Sequence, residues 1–326
     1  MSTPTVSIVM PAWKAAAFIA HAVESVRAQT FADWELIVVD DCSPDETGAA
    51  ALAAAKGDAR VRIVRAPENG GVARARNLGM RQATGKWIAV LDSDDAFEPA
   101  RLETLVTIAE RENLDILADD MKLVPFGDLQ ADGPSYLGGP SLNLIPVDLT
   151  GWLGANHVDS NAPLYGYLKP IFRRTFITAH SAEYVADLRV AEDCWFVADL
   201  LAYGARLAVH PEPLYRYAVR PASLSRTRGT QNVYSLQRPV YEPFTRRHQG
   251  RLSAADLRAL RRHEIALRDA EAFENFIIMA RQKKFPGALG ALVSRPQAAR
   301  FLPRPVAARV KRLAQKFGYK PQLRVG

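Results

Sequence analysis

The stretch Trp87-Ile88-Ala89-Val90-Leu91-Asp92-Ser93-Asp94-Asp95 decides the reading of the fold. Five apolar residues are too few for an ordinary helix, and they run directly into three carboxylates and a serine. A short continuous apolar run bounded by a polar turn is the pattern of a strand buried on both faces. The acidic group then lies at the carboxyl end of that strand.

Upstream, the same alternation recurs. Val6-Ser7-Ile8-Val9-Met10 reads as a strand that stops at Pro11, and Phe18, Ile19, Ala22, Val23 and Val26 follow at helical spacing. Leu36-Ile37-Val38-Val39 is a second strand, ending at Asp40-Asp41. The alanine-rich stretch after Asp45 predicts a helix with Ser43 or Asp45 as its N-cap. Val61-Arg62-Ile63-Val64 is a third strand, after which Asn69-Gly70-Gly71 turns into a helix over about Val72 to Ala83, ended by Gly85.

Downstream, Pro99 opens another helix, and Asp115-Ile116-Leu117-Ala118 reads as a fifth strand. Residues 121–165, rich in Pro and Gly, predict loops and small strands closing over a site. A helix is expected over Glu183 to Leu201 and an extended segment over Leu207 to Tyr217. Beyond Leu252 the pattern is helical, carried by Leu257, Leu260, Ile265, Leu267, Phe273, Phe276 and Ile277. The expected fold class is α/β: a mostly parallel, Rossmann-like sheet with helices on both faces and a C-terminal helical extension. Ligands of such sheets sit outside the carboxyl ends of the strands. Here those ends carry Pro11-Ala12-Trp13, Asp40-Asp41 and Asp92-Ser93-Asp94-Asp95.

Of 326 residues, 48% are hydrophobic and 24% charged, so a full-sized core is expected. The net charge of +7 is unevenly spread. Residues 251–326 hold 17 basic and 5 acidic side chains, leaving 25 basic and 30 acidic in residues 1–250. The basic character therefore belongs to the C-terminal quarter and points to an anionic partner surface there. Val306, Val310, Leu313 and Phe317 form one helical stripe, with Arg309, Lys311, Arg312 and Lys316 on other faces. This pattern suits a helix lying on an anionic membrane or one docked on its own domain. No basic-aromatic interleaving supports nucleic acid as partner. No apolar run approaches the roughly 20 residues that span a bilayer, and the N-terminus lacks a positive region and a small-residue cleavage site. The expected location is cytoplasmic, peripheral on the inner face of the membrane. Cys42 and Cys194 fit a reducing compartment and are too few for a structural zinc site.

Two carboxylates one residue apart at a strand end, Asp92 and Asp94, suit a ribose hydroxyl and a divalent cation such as Mg²⁺ or Mn²⁺. In a group transfer the cation neutralises charge on a departing diphosphate. Asp40 or Asp41 suits a uracil imide or a ribose hydroxyl, with helix capping as the competing role. The turn at Asn69, the helix N-terminus after it, and Arg74 and Arg76 suit a phosphate.

Together these residues resemble the family-two inverting glycosyltransferases with the GT-A fold. The resemblance rests on Pro11-Ala12-Trp13-Lys14, Asp40-Asp41-Cys42-Ser43, Asn69 through Asn77, and Asp92-Ser93-Asp94, four motifs in order over about 95 residues. Trp13-Lys14 stands where Tyr-Asn is usual, and Cys42 where Gly is common. The resemblance implies nucleotide-sugar contacts from Pro11, Ala12, Trp13, Asp40, Asn69, Arg76, Asp92 and Ser93, with Asp94 on the metal. It implies that Asp193 of the Glu192-Asp193 pair is the general base and that Glu192 helps position the site. Trp195 either faces an acceptor sugar or packs in the core. Tyr215-Arg216-Tyr217, Arg220 and Ser223-Leu224-Ser225 resemble a strand and loop that close over the diphosphate. The expected organisation is a catalytic domain over 1–235, with a nucleotide-sugar half (1–120) and an acceptor half (121–235), and a basic helical extension over 236–326. The expected reaction moves a hexose, glucose from UDP-glucose first, to a carbohydrate acceptor on a polyprenyl-diphosphate carrier, as in exopolysaccharide assembly.

Three rival functions are weighed against this one. A dinucleotide-binding oxidoreductase would need a Gly-rich turn where Pro11-Ala12-Trp13 stands. A nucleotidyltransferase would show a Gly-rich, basic loop after the first strand, and none is present. Asp92, Asp94 and Asp193 together argue against a non-catalytic nucleotide-sugar-binding relative, which stays the alternative with the nucleotidyltransferase.

Overall fold

The computed structural model describes residues 3–138, 143–158, 162–220 and 233–301. The chain divides into two compact units, Met1–Trp152 with Tyr165–Pro221, and Leu153–Leu164 with Ala222–Gly326.

The first unit begins with β1 (Val6–Ala12), α1 (Ile19–Arg27), β2 (Trp34–Asp40), α2 (Thr47–Ala55), β3 (Val61–Arg65), α3 (Val72–Gln82) and β4 (Trp87–Val90). It continues with β5 (Ala96–Phe97), α4 (Arg101–Arg111), β6 (Ile116–Pro125), β7 (Ile145–Val147) and the start of α5 (Leu149–Ala155), a helix that crosses the boundary after Trp152. After a 3₁₀ turn at Tyr165–Tyr167 come β8 (Ile171–Arg173), α6 (Arg174–Ala179), α7 (Glu192–Ala202) and β9 (Leu207–Val219). One sheet runs in the order β3-β2-β1-β4-β8-β6-β9-β5, with β7 also paired to β9. β1 through β4 are parallel, and β8 inserts antiparallel between β4 and β6. β6 and β9 run parallel to each other, while β5 and β7 pair antiparallel with β9. The mostly parallel, helix-covered sheet expected from the sequence is present.

Register sets the site edge. Ala12 pairs with Asp40 and Val9 with Val90, so the ends of β1, β2 and β4 share one edge. α3 lies close on this sheet. A Cβ at Gly79 would sit 2.4 Å from Val9 Cγ1 and 3.0 Å from Val39 Cγ2, so only glycine permits the approach. In β9, the register against β6 shifts between Asp119 and Met121, where Pro211 and Pro213 lack the N–H that an unbroken ladder needs.

Several local expectations are corrected. β1 continues through Pro11 to Ala12. Ser43 and Asp45 do not cap α2, whose N-cap is Glu46. Ser43 Oγ instead accepts from the Lys14 N–H, and Asp45 Oδ2 from the Ala16 N–H, so both pin the loop between β1 and α1. α3 ends in the extended Ala83 rather than in a glycine cap. Residues 183–191 are not helical. Both backbone groups of Tyr184 are taken by the Asn77 side chain, at 2.8 Å each, and α7 starts only after Ala191 at φ 62°.

The second unit contains α8 (Val233–Arg247), α9 (Ala254–Arg281), α10 (Phe285–Ser294) and a 3₁₀ turn at Pro296–Phe301. Ser253 and Asp256 form a capping box that fixes the start of α9. Ala270, Phe273, Ala298 and Phe301 form its buried cluster, with Phe276 and Ile277 packed against it. The proposed membrane stripe, Val306 to Phe317, lies outside the described residues. Among the described residues no helix is long and apolar enough to cross a membrane.

Candidate active site

Two hydrogen-bonded networks occupy the site edge. In the first, Asp40 accepts from Arg65 Nη1 at 2.7 Å and from the Ser43 N–H at 2.9 Å. Asp41 next to it binds the glycine turn. Its carboxylate accepts from Asn69 Nδ2 (3.0 Å), the Gly70 N–H (2.9 Å) and the Gly71 N–H (2.8 Å). Gly71 is the N-cap of α3 at φ 84°, a conformation natural to glycine. Asp41 is thus the anchor of the turn, and Asn69 serves that anchor. Cys42 sits at φ 54°, the left-handed region, which explains why glycine is the common residue there.

The second network joins α3, the end of β4, the segment before β8 and the start of α7. Arg76 Nη2 donates to Asp92 Oδ1 at 2.7 Å, and Arg76 Nη1 reaches Glu192 Oε1 at 3.0 Å and Asp193 Oδ1 at 2.6 Å. Lys169 Nζ lies 2.7 Å from Asp193 Oδ2 and 3.1 Å from Asp92 Oδ2. Arg76 is 1% exposed and Lys169 7%, so two buried cations bridge three carboxylates. Burial at this density is tolerable only because every charge is paired. Burial alone would raise the Asp92 carboxyl, but the Lys169 and Arg76 charges outweigh it and hold it well below the usual range. Burial would lower the Lys169 ammonium, and Asp193 with Asp92 instead drives it well above its ordinary value. Glu192 is pushed up, by burial first and then by the Asp193 charge.

Asp94 faces another cation, Arg220, whose Nε lies 2.7 Å from Asp94 Oδ2. The Arg220 guanidinium also covers the rings of Phe18 and Phe126, at 4.4 and 4.2 Å. Burial and then the Asp92 charge raise the Asp94 carboxyl, with Arg220 opposing. Among the described residues no cluster of three or more His, Cys, Asp or Glu forms a protein-only metal cage. A hard cation held by one or two carboxylates and the oxygens of a diphosphate needs none. Asp94, whose Oδ2 is paired with Arg220, is the candidate ligand for such a cation.

Trp13 is 50% exposed at the end of β1, with Lys14 Nζ 4.5 Å from its ring, whereas Pro11 and Ala12 are buried in the strand and Ser93 is buried after β4. Trp195 is 2% exposed, so its ring lies in the core and offers no face to an acceptor. Tyr215 and Arg216 have partners within their own unit. The buried Tyr215 hydroxyl donates to Asp95 Oδ2 (2.7 Å) and accepts from the Asp92 N–H (3.2 Å), while Arg216 binds Glu98 and the Leu129 carbonyl. Ser223, Leu224 and Ser225 lie outside the described residues.

Lys169 is the member of this charged cluster that sequence reasoning missed. Its one signal is a charged residue beside the apolar run Ile171-Phe172. Its carbonyl is fixed by Arg101 Nη2, and Arg101 is itself fully buried against Asp119 at 2.7 and 2.8 Å.

The family model for glycosyl transferase family 2 matches residues 7–130. The succinoglycan biosynthesis protein ExoO of Rhizobium meliloti (strain 1021) is 34% identical over 317 residues, 96% of this chain and 88% of ExoO. The chain belongs to glycosyl transferase family 2 and is a glycosyltransferase. WfgD of Escherichia coli, named a UDP-Glc:alpha-D-GlcNAc-diphosphoundecaprenol beta-1,3-glucosyltransferase, is 34% identical over 119 residues, 36% of this chain and 46% of WfgD. The mannosyltransferase PcManGT of Pyrobaculum calidifontis, solved with GDP-Man and Mn²⁺, shares the fold. Its TM-score is 0.58 at 19% identity, over 99% of this chain and 83% of that one.

Proposed function

We propose that the chain is a metal-dependent, inverting hexosyltransferase. In this reading it moves glucose from UDP-glucose to a carbohydrate acceptor on a polyprenyl diphosphate, in exopolysaccharide or other surface polysaccharide assembly. The observation that carries the reading is the bridge made by Arg76 and Lys169 between Asp92 at the end of β4 and Asp193 at the start of α7. A single displacement at the anomeric carbon needs a base on the side opposite the leaving diphosphate. Asp193 is the base. Each of its oxygens carries one cation contact, which leaves lone pairs for the acceptor hydroxyl. Glu192 shares Arg76 and positions that cation. Asp92 takes the ribose, and the exposed Trp13 ring offers a face to the base. The divalent cation, Mn²⁺ or Mg²⁺, is held by Asp94 and neutralises the departing diphosphate.

The donor and carrier are supported by what WfgD is named for, and the polysaccharide setting by ExoO. The net charge of residues 251–326 supports an anionic membrane surface as partner of the basic end. Calorimetric titration with UDP, GDP and dTDP, with and without Mn²⁺, tests the donor class. Metal-dependent UDP binding that Asp94→Ala removes is expected, and no nucleotide binding would end the reading. Asp193→Asn is expected to abolish transfer, by at least about a thousandfold, with UDP binding near normal. Substantial turnover would remove Asp193 as base.

A further inference from the structure

The helix α10 is packed the wrong way round for a helix that meets only water and its own chain. Its small residue Ala288 is buried, whereas Phe285, Leu289 and Val293, at i, i+4 and i+8, are 66%, 64% and 69% exposed. These are the three most exposed large apolar side chains among the described residues. An amphipathic surface helix normally turns such a stripe inward, and a contiguous exposed apolar stripe marks a contact surface.

The charges around the stripe select what meets it. Arg281, Lys283 and Lys284 are exposed immediately before α10. Arg295, the first residue beyond it, is turned inward and pairs with the buried Asp269 at 3.3 Å, so among the described residues the free cations beside the helix lie before it. Residues 275–326 contain twelve Lys and Arg and no Asp or Glu. A second copy of this end, or the equally basic residues 302–326, would bring like charge to like charge. An anionic bilayer supplies both what the stripe lacks and what the cations seek.

We propose that α10 is a membrane-docking helix. Phe285, Leu289 and Val293 enter the interface of an anionic phospholipid bilayer, and the exposed Arg281, Lys283 and Lys284 contact its phosphates. The proposal rests on the reading that the basic end meets an anionic surface, and it places that contact on a defined helix.

The full-length protein is tested by co-sedimentation with vesicles of phosphatidylglycerol and phosphatidylcholine in equal parts, against phosphatidylcholine alone. Wild type is expected to bind the anionic vesicles and to be released by high salt. The triple variant Phe285→Ser, Leu289→Ser, Val293→Ser is expected to bind them at least about tenfold more weakly. The same variant should retain wild-type transfer to a water-soluble acceptor, which shows that it is folded and that the docking helix is separate from the chemistry. Equal vesicle binding by wild type and variant overturns the proposal, as does a wild type that ignores anionic vesicles. A self-association of the wild type that the variant abolishes, without any vesicle binding, assigns the face to a second copy and also overturns it. Transfer to a soluble acceptor without vesicle binding removes the docking helix and leaves the enzyme. Vesicle binding without nucleotide binding does the reverse.

Discussion

Lys169 shows how much of a site can hang on one ammonium. It contacts carboxylates on two elements, and Arg76 alone cannot balance three buried acids. Lys169→Met leaves Asp92 and Asp193 short of a counter-charge, and breaking a buried pair from one side costs about 3–5 kcal/mol. Scanning calorimetry should show the melting temperature fall by roughly 10 °C, with transfer reduced and Lys169→Arg restoring most of both. A melt unchanged by Lys169→Met would remove the residue from the bridge. Asp92 was legible in its local acidic triplet, and Asp193 through the family resemblance. Lys169 was not, because its partners are 24 or more residues away and no spacing rule connects them. Trp195 was legible only as either an acceptor face or a core residue, and burial decided between them.

At the scale of elements, local propensity and packing pull in opposite directions in α3. Alanine is favoured over glycine in an isolated helix by about 1 kcal/mol. At Gly79 the added methyl would lie 2.4 Å from Val9 Cγ1, in the packed face between α3 and the sheet. Overpacking of this kind costs about 1–3 kcal/mol, so Gly79→Ala is expected to destabilise. Urea unfolding with a midpoint at or above that of wild type would show that the sheet yields instead. α1 was readable from its 3.6-residue periodicity, α3 from the glycine turn that precedes it, and β1 to β4 from their apolar runs. The stretch 183–191 was not, because Asn77, more than a hundred residues earlier, takes the backbone groups that a helix would use. The small strands β5, β7 and β8 carry two or three residues each, too few to set a period.

At the scale of the whole molecule, the second unit carries a stability response to pH. In the second unit the Tyr241 hydroxyl meets His263 Nδ1 at 2.8 Å. Burial, and then the His157 charge, lowers His263 from 6.5 to about 4. The unfolded chain therefore takes up a proton that the folded chain refuses. Stability is full above about pH 6.5 and is lost as pH falls to about 4, by about 3 kcal/mol at most from this group. Thermal melts across that window should show the loss, and His263→Gln should flatten its slope. An equally steep profile in the variant would assign the loss to other groups.

The sequence by itself determined the α/β class, the strands of the parallel half and the edge at which their acidic ends meet. Periodicity and burial act over a few residues, so a few residues reveal them. It also marked Asp92 and Asp94 through one local acidic motif, and Asp193 through the family resemblance. Only the tertiary structure decided that Asp41 anchors the glycine turn, that Arg76 and Lys169 tie the two acidic motifs together, and that Arg220 faces Asp94. Those pairings are Coulombic and steric. They depend on which distant segments the sheet order brings within about 3 Å, and a linear pattern carries no such distances.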